Sequence, residues 1–256
     1  MSENVGKKFE ELVRIVKILR APNGCPWDRE QDNASLLPYF LEEAYEVIES
    51  VDNKDWKTLK EEIGDILLHM VFQADIMEEK NEFSISEALG GINDKLVRRH
   101  PHVFGDKTAD AAKNAKQNWE EVKHQEKKRK SRLDGVPTNL PALVRAQRLQ
   151  EKASYAGFDW DLVEQVWDKV HEEILEVKEA QSEGAKDHIE EEIGDVIFAV
   201  VNLARFLGIP AEDALRKTNK KFTDRFAKVE AELKRRGKEV EESDLEEMDA
   251  IWESVK

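Results

Sequence analysis

The sequence has only one cysteine, Cys25, among its 256 residues. A single thiol excludes an intramolecular disulfide and favours a reducing compartment. Long apolar runs are also missing: none approaches the roughly 18 residues of a membrane-spanning helix, and residues 1–10 lack the apolar core of a signal peptide. We therefore expect a cytoplasmic protein that makes no contact with membranes.

An excess of positive charge is missing as well. The chain has a net charge of −15 at pH 7 and a pI near 5.0. Proteins that bind nucleic acids or anionic membranes through their general surface carry basic patches. The composition thus argues against a nucleic-acid partner, although a metal ion and a few local cations still allow an acidic protein to bind polyphosphate.

Segments with the alternating pattern of a β-strand are absent, so we predict an all-α fold. The predicted helices cover about 9–19, 36–51, 56–79, 84–99, 110–130, 161–183 and 187–207. Ser35 is the predicted N-cap of the second of these helices and Asp55 that of the third. The short polar link at residues 52–55 predicts an antiparallel helical hairpin.

Two groups of acids are written twice, as Glu-Glu-x-x-Glu followed by Glu-Glu-x-x-Asp, and all recur at an offset of 130 residues. The first copy comprises Glu42, Glu43, Glu46, Glu61, Glu62 and Asp65, and the second comprises Glu172, Glu173, Glu176, Glu191, Glu192 and Asp195. This duplication predicts two tandem antiparallel helical domains like four-helix bundles, over residues 1–130 and 142–256, with a linker over 131–141. Because their helices are apolar on more than one face, we expect the chain to form a homodimer.

The acids of each motif share one face, because positions i, i+1 and i+4 fall at about 0°, 100° and 40° around a helix. Beyond its acidic first turn, the second helix of each pair is apolar nearly all round and is therefore predicted to be buried. Unpaired carboxylates at the end of a buried helix are costly or become protonated. Since no basic residue lies inside either motif, a divalent cation is their predicted partner.

Oxygen ligands favour a hard ion, so we predict Mg²⁺, with Mn²⁺ as a substitute, sharing its coordination with substrate phosphates. A di-iron bundle would use Glu-x-x-His pairs, whereas both copies here have Glu-x-x-Asp. His69 follows Asp65 by one turn, but its counterpart is Ala199, so we interpret His69 as a packing residue. A motif carboxylate at the edge of the acidic face, Glu172 or Glu42, is the candidate general base.

Phosphate chemistry also needs fixed cations. Lys221 and Arg225 lie one turn apart in the second half, and Lys95, Arg98 and Arg99 are their counterparts in the first. Trp252 and Trp119 are aromatic residues that either stack on a base or pack internally. Arg98 stands opposite Asp224 across the repeat, so we expect the two copies to handle phosphate differently.

The duplicated acidic motifs, the Gly24-Cys-Pro-Trp-Asp28 loop and the segment Arg98-Arg-His-Pro-His-Val-Phe104 resemble the MazG nucleoside triphosphate pyrophosphohydrolases over essentially the whole chain. This resemblance implies a homodimeric, all-α enzyme that uses Mg²⁺ to hydrolyse nucleoside triphosphates to monophosphate and pyrophosphate. It also implies that the nucleotide binds in the C-terminal copy, with Lys221, Arg225 and Trp252 contacting phosphate and base. The implied metal ligands are Glu173, Glu176, Glu192 and Asp195, and in the first copy Glu43, Glu46, Glu62 and Asp65, with Glu172, Glu191, Glu42 and Glu61 behind them.

Three functions stay open on the sequence alone. The first is the pyrophosphohydrolase, with broad base specificity and a house-cleaning role. The second is an inorganic pyrophosphatase or another phosphohydrolase, which would release orthophosphate. The third is a nucleotide-binding regulatory module without turnover. Product identity separates the first two, and tight binding without turnover would indicate the third.

Overall fold

A computed structural model describes residues 2–104, 126 and 130–255. These residues form two compact units, within 1–115 and 116–256, and every regular element described in them is a helix. The all-α prediction is therefore confirmed. Trp119 and nearly all of the helix predicted over 110–130 lie outside the described residues.

The first unit is organised around one long helix. Its described helices are α1 (Ser2–Arg20), α2 (Pro26–Glu30), α3 (Leu37–Asn53), α4 (Trp56–Glu79), α5 (Ile85–Arg99) and α6 (Pro101–Phe104). Helices α1, α3 and α5 all pack on α4. Their shared core is closed by Val16, Leu36, Val71, Phe72 and Ile76.

The second unit repeats this plan. Its helices are α7 (Ala142–Tyr155), α8 (Val163–Glu183), α9 (Lys186–Phe206), α10 (Ala211–Arg235), a 3₁₀ turn (Val240–Glu242) and α11 (Leu245–Ser254). Helices α7, α8 and α10 pack on α9, and α11 packs on α10. One core lies between α8 and α9, and a smaller one lies between α10 and α11 around Val229, Leu233 and Ile251.

Each unit contains a tight hairpin, α3–α4 or α8–α9. The first turns at Lys54 (φ 57°) and the second turns at Gly184 (φ 73°), which stands at the equivalent position of the repeat. The predicted cap Asp55 accepts hydrogen bonds from the backbone N–H groups of Lys57 and Thr58, which confirms that helix start. Both hairpins thus have their turn fixed by local chemistry.

The predicted cap Ser35 is wrong. Helix α3 begins at Leu37, and its N-cap Leu36 makes no capping bond with its side chain. The Ser35 hydroxyl instead donates to Gln31 Oε1 at 2.8 Å and accepts from the backbone N–H of Asp32 at 3.0 Å. Ser35 therefore stabilises the preceding turn, because that turn offers it partners closer than the first helical N–H groups.

The predicted burial of the second helix of each pair is confirmed on one side only: Val71 and Phe72 on α4 and Val201 on α9 are buried, whereas other apolar positions are open among the described residues. Ile63 on α4 is 49% exposed and Ile193 on α9 is 46% exposed, and Leu67, Met70, Ile197 and Val200 are similarly open. The neighbouring helices cover only part of each circumference, so an apolar stripe remains on the surface. Among the described residues no single helix combines the length and hydrophobicity of a membrane span; α9 and α10, bent by 105°, meet that test only as a pair.

Candidate metal centre

Four acids of the first motif pair meet across the α3–α4 hairpin, and we call Glu43, Glu46, Glu62 and Asp65 the first acidic cluster. Carboxylate oxygens of Glu43, Glu62 and Asp65 lie within 4.8 Å of one another. Glu62 is buried and lies within hydrogen-bonding reach of Glu43 and Glu46. Desolvation raises the pKa of both Glu43 and Glu62, and the negative charge of Glu62 raises the pKa of Glu46. Carboxylates this close need protons or a cation between them.

The second acidic cluster comprises Glu172, Glu173, Glu176, Glu192 and Asp195 on α8 and α9. Oxygens of Glu173, Glu192 and Asp195 lie within 4.8 Å of one another, and so do those of Glu172, Glu173 and Glu176. Glu173 belongs to both groups and is only 4% exposed. A hydrogen bond with Glu173 raises the pKa of Glu176.

Two basic side chains adjoin the second acidic cluster, and the sequence analysis missed both. Lys169 Nζ lies 2.8 Å from Glu172 Oε1 and 2.5 Å from Glu173 Oε1, and these bonds raise the pKa of Lys169. His188 Nε2 lies 3.2 Å from Glu192 Oε1, while a hydrogen bond that the ring donates to the Glu183 carboxylate raises the pKa of His188. Lys169 precedes Glu173 by four residues and His188 precedes Glu192 by four. This i, i+4 spacing of opposite charges on a helix is the sequence pattern that predicts both contacts.

The positions equivalent to these two cations are uncharged in the first unit. At the offset of 130 residues, Tyr39 stands for Lys169 and Thr58 stands for His188. The Thr58 hydroxyl donates to the capping carboxylate of Asp55 at 2.9 Å. The two clusters therefore share their acids but differ in the positive charge beside them.

A cavity of about 790 Å³ opens beside the second acidic cluster. Lys169, Glu173 and Asp195 line it together with an apolar wall from α7, α9, the segment before α7 and the loop between α7 and α8. The wall includes Leu133, Leu149, Ala153, Phe158, Trp160 and Phe198. The guanidinium of Arg205 holds this loop by pairing with Asp159 at 3.0 Å. Acids, one lysine and aromatic rings thus face a common space of ligand size.

Two positions of the corresponding region of the first unit have larger side chains than their counterparts, Arg20 for Gln150 and Phe72 for Asn202. Phe72 stands at the position equivalent to Asn202, which lines the cavity of the second unit. The Phe72 side chain is buried, with 5% of its surface exposed. The guanidinium of Arg20 lies 5.4 Å from the centroid of the Phe72 ring. It also pairs with Asp75 and Glu79 and donates to the backbone oxygens of Asp28 and Gln31.

The predicted phosphate cations of the second unit form a separate group. The guanidinium of Arg225 lies 5.7 Å from the Trp252 ring, which also packs against Phe222 at 5.2 Å. Within the described residues, neither Lys221 nor Arg225 has a hydrogen bond or ion pair with the second acidic cluster, and neither lines the cavity. In the part of the chain that the structure describes, the predicted phosphate cations therefore make no direct contact with the acids.

The remaining predicted site residues are distributed more widely. Glu42 and Glu191 are exposed on their helices, as is Arg98 on α5. Lys95 is half-buried, and Arg99 is only 6% exposed. His69, interpreted as a packing residue, meets the Phe40 ring edge-on at 6.2 Å.

Fold and clusters together define a class of all-α proteins that present opposed carboxylates between two antiparallel helices. The sequence profile described as the MazG nucleotide pyrophosphohydrolase domain matches residues 31–104 and 163–229, the two segments that contain the hairpins. This chain belongs to that family, which confirms the resemblance inferred from the motifs.

Several relatives match the chain along nearly its whole length. The nucleoside triphosphate pyrophosphohydrolase/pyrophosphatase MazG of Thermotoga maritima is 46% identical over 256 residues, covering 99% of this chain and 98% of that protein. The nucleoside triphosphate pyrophosphohydrolase of Escherichia coli K12 is 44% identical over 255 residues, covering 97% of each. An uncharacterized protein of Bacillus subtilis is 43% identical over 252 residues, covering 97% of this chain and 52% of that protein.

Proposed function

We propose that this chain hydrolyses nucleoside triphosphates, ribo- or deoxyribo-, to the monophosphate and pyrophosphate with Mg²⁺, accepts several bases and removes unwanted nucleotides. The observation that carries this proposal is the second acidic cluster, which shares one cavity with Lys169 and an apolar aromatic wall. A triphosphate needs the acidic cluster and Lys169, whereas a base needs the aromatic wall. The names of the Thermotoga and Escherichia relatives support the same reaction.

The donor set fits a hard divalent cation. All of its close oxygens are carboxylates, and Glu192 Oε2 is buried without a hydrogen-bond partner in the described structure. A buried carboxylate oxygen left unpaired is costly, and Mg²⁺ is a partner that accepts several such ligands. Glu173, Glu176, Glu192 and Asp195 would hold the ion in the second unit, and the first acidic cluster would hold one in the first. When bound, Mg²⁺ offsets phosphate charge and lowers the pKa of a coordinated water.

The chain's own residues supply the remaining steps. Lys169 is positioned to exchange its carboxylate partners for phosphate oxygens once a divalent ion occupies the acids. Glu172 is exposed at the edge of the cluster and is our candidate to accept the proton of the attacking water. Lys221, Arg225 and Trp252 stay our proposed phosphate and base contacts by resemblance, as do Glu191 and, in the first unit, Lys95, Arg98, Arg99 and Trp119.

We assign hydrolysis to the second unit. Its cavity accommodates a ligand, whereas the larger side chains of Phe72 and Arg20 stand at equivalent positions of the first unit. The first unit also lacks counterparts of Lys169 and His188. We propose that the first unit has mainly a structural role in a homodimer, with domain limits at 1–130 and 142–256, and that the exposed apolar stripes of α4 and α9 form the dimer contacts.

The test is product analysis with a matched pair of variants. The purified protein is incubated with Mg²⁺ and each common nucleoside triphosphate, and with pyrophosphate alone, because the name of the Thermotoga relative also includes pyrophosphatase. Monophosphate and pyrophosphate are the expected products. Nucleoside diphosphate with orthophosphate, or no nucleotide product, would overturn the proposal, whereas orthophosphate formed from pyrophosphate alone would identify a second activity on the released pyrophosphate. Glu173→Gln should reduce kcat/KM by about a hundredfold or more, and by far more than Glu43→Gln at the equivalent position. A larger loss from Glu43→Gln would refute the assignment to the second unit.

A further inference from the structure

One buried amide in the wall of the cavity has a polar atom without a partner. Gln150 lies on α7, is 8% exposed and lines the same cavity as Glu173 and Asp195. Its Nε2 donates to the backbone oxygen of Phe198 on α9 at 2.8 Å. Its Oε1 is buried and accepts no hydrogen bond within the described structure.

The orientation of this amide is set by its surroundings. The Phe198 oxygen is an acceptor only, so it requires the nitrogen of Gln150 on its side. The carbonyl oxygen is therefore the atom left without a partner. Proteins leave few buried acceptors unsatisfied, because the lost hydrogen bonds to water are not replaced.

The walls around Gln150 suit a flat, partly apolar group. Phe158 and Trp160 line the cavity from the loop that Arg205 anchors through Asp159. Phe158 is 82% exposed, so it packs little against the described residues. Aromatic rings of this kind stack on nucleobases of any sequence.

We propose that Gln150 Oε1 accepts a hydrogen bond from the nucleobase of the substrate, with Phe158 and Trp160 beside the base. This inference rests on the proposed function, since it takes a nucleotide as the ligand of the cavity. Adenine and cytosine offer an amino group, guanine offers an amino and a ring N–H, and uracil and thymine offer a ring N–H. A single acceptor is therefore satisfied by every common base, which is consistent with broad specificity, but it discriminates against a base that has lost its donor.

The experiment compares ATP with purine riboside triphosphate, which differs only in lacking the 6-amino group. The wild-type enzyme should prefer ATP in kcat/KM by about tenfold, because the analogue leaves Oε1 unpaired. In Gln150→Met, which keeps the size of the side chain but has no acceptor oxygen, this preference should disappear. Gln181→Met, the same change at an exposed position of α8, should retain it. A preference retained in Gln150→Met, or absent from the wild type, would overturn the proposal.

Binding measurements separate this inference from the reaction itself. Calorimetry with the α,β-methylene forms of the same two nucleotides, in Mg²⁺, needs no turnover. If the wild type releases no pyrophosphate but binds the ATP analogue preferentially through Gln150, the proposed function fails and the base contact stands. If Gln150→Met does not fold, Phe158→Ala provides the second test. It should weaken binding of both analogues about equally, and unchanged binding would overturn the placement of the base beside Phe158.

Discussion

Replacing Arg20 by methionine should destabilise the first unit strongly and leave the second unchanged. The Arg20 side chain is 6% exposed and lies 3.7 Å from Asp75, whose side chain is 8% exposed. Removing one partner of a buried pair leaves an uncompensated charge and costs about 3–5 kcal/mol. The bond to Glu79 adds little, because that carboxylate is 47% exposed and returns to water. We therefore expect a loss of about 3–4 kcal/mol in the first unit.

The pH dependence of this loss has a definite sign. Desolvation raises the pKa of Asp75, and the positive charges of Lys17 and Arg20 partly oppose this increase. Removing Arg20 raises the pKa of Asp75 further, so the folded variant binds a proton more readily than the unfolded chain does. Stability then falls as pH rises from the unfolded to the folded pKa. The deficit of Arg20→Met should accordingly be smaller at pH 4 than at pH 7.

Hydrogen exchange followed by mass spectrometry measures this deficit in the intact protein. Peptides from α1 and α4 should exchange more than about a hundredfold faster in the variant, since each 1.4 kcal/mol is a factor of ten, whereas peptides from α8 and α9 serve as an internal control. The double variant Arg20→Met/Asp75→Asn should recover about half of the loss because the stranded charge is gone. A deficit below about 1 kcal/mol, or equal acceleration in both units, would refute the reasoning.

Three further predictions follow from the clusters, the caps and the exposed stripes. Mn²⁺ binding should weaken more steeply between pH 7 and pH 5 in Glu173→Gln, where the first acidic cluster is intact, than in Glu43→Gln. The reason is that raised pKa values let protons compete with the ion at three acids of the first acidic cluster, Glu43, Glu46 and Glu62, against Glu176 in the second. Calorimetric titrations that give parallel curves would contradict this. Asp55→Ala should lower the free energy of unfolding by about 1 kcal/mol in denaturant titrations. The loss should be larger at pH 7 than at pH 3, because hydrogen bonds lower the pKa of Asp55 in the folded protein. Ser35→Ala should leave the start of α3 unchanged. Ile193→Glu should convert a dimer into monomers in light scattering, and an unchanged mass would place the dimer contacts elsewhere.

Much of the fold was accessible from the sequence because its signals are local. The limits of α4 follow from the cap Asp55 and an apolar period that continues to Glu79, and the predicted span agrees with the observed one. The acids of each hairpin meet because a short turn forces its two helices to run antiparallel. Neither inference requires knowledge of distant contacts.

The rest depends on which elements pack together, and periodicity does not contain that information. Ile63 and Ile193 have the pattern of buried residues, but no helix within the described residues covers them fully. The pairing of Arg20 with Asp75 joins positions far apart in sequence. The orphan oxygen of Gln150 becomes visible only once α7 lies on α9. The contact of Lys169 is a local one, since i, i+4 spacing to Glu173 is visible in the sequence even though Lys169 lies outside the acidic motif.

The tight hairpin turns also set a limit on how these sequences can change in length. Glu46 and Glu62 lie at equal separations along the chain on either side of Lys54. Glu176 and Glu192 flank Gly184 in the same way. One residue inserted into either arm would move a carboxylate about 1.5 Å along the helix and about 100° around it, which would turn it away from its partners. Insertions are therefore tolerable in the loops outside the hairpins but not between the paired acids. The number of residues from Glu43 to Asp65 is thus fixed by the geometry of the cluster, and the duplicate stretch from Glu173 to Asp195 is under the same constraint.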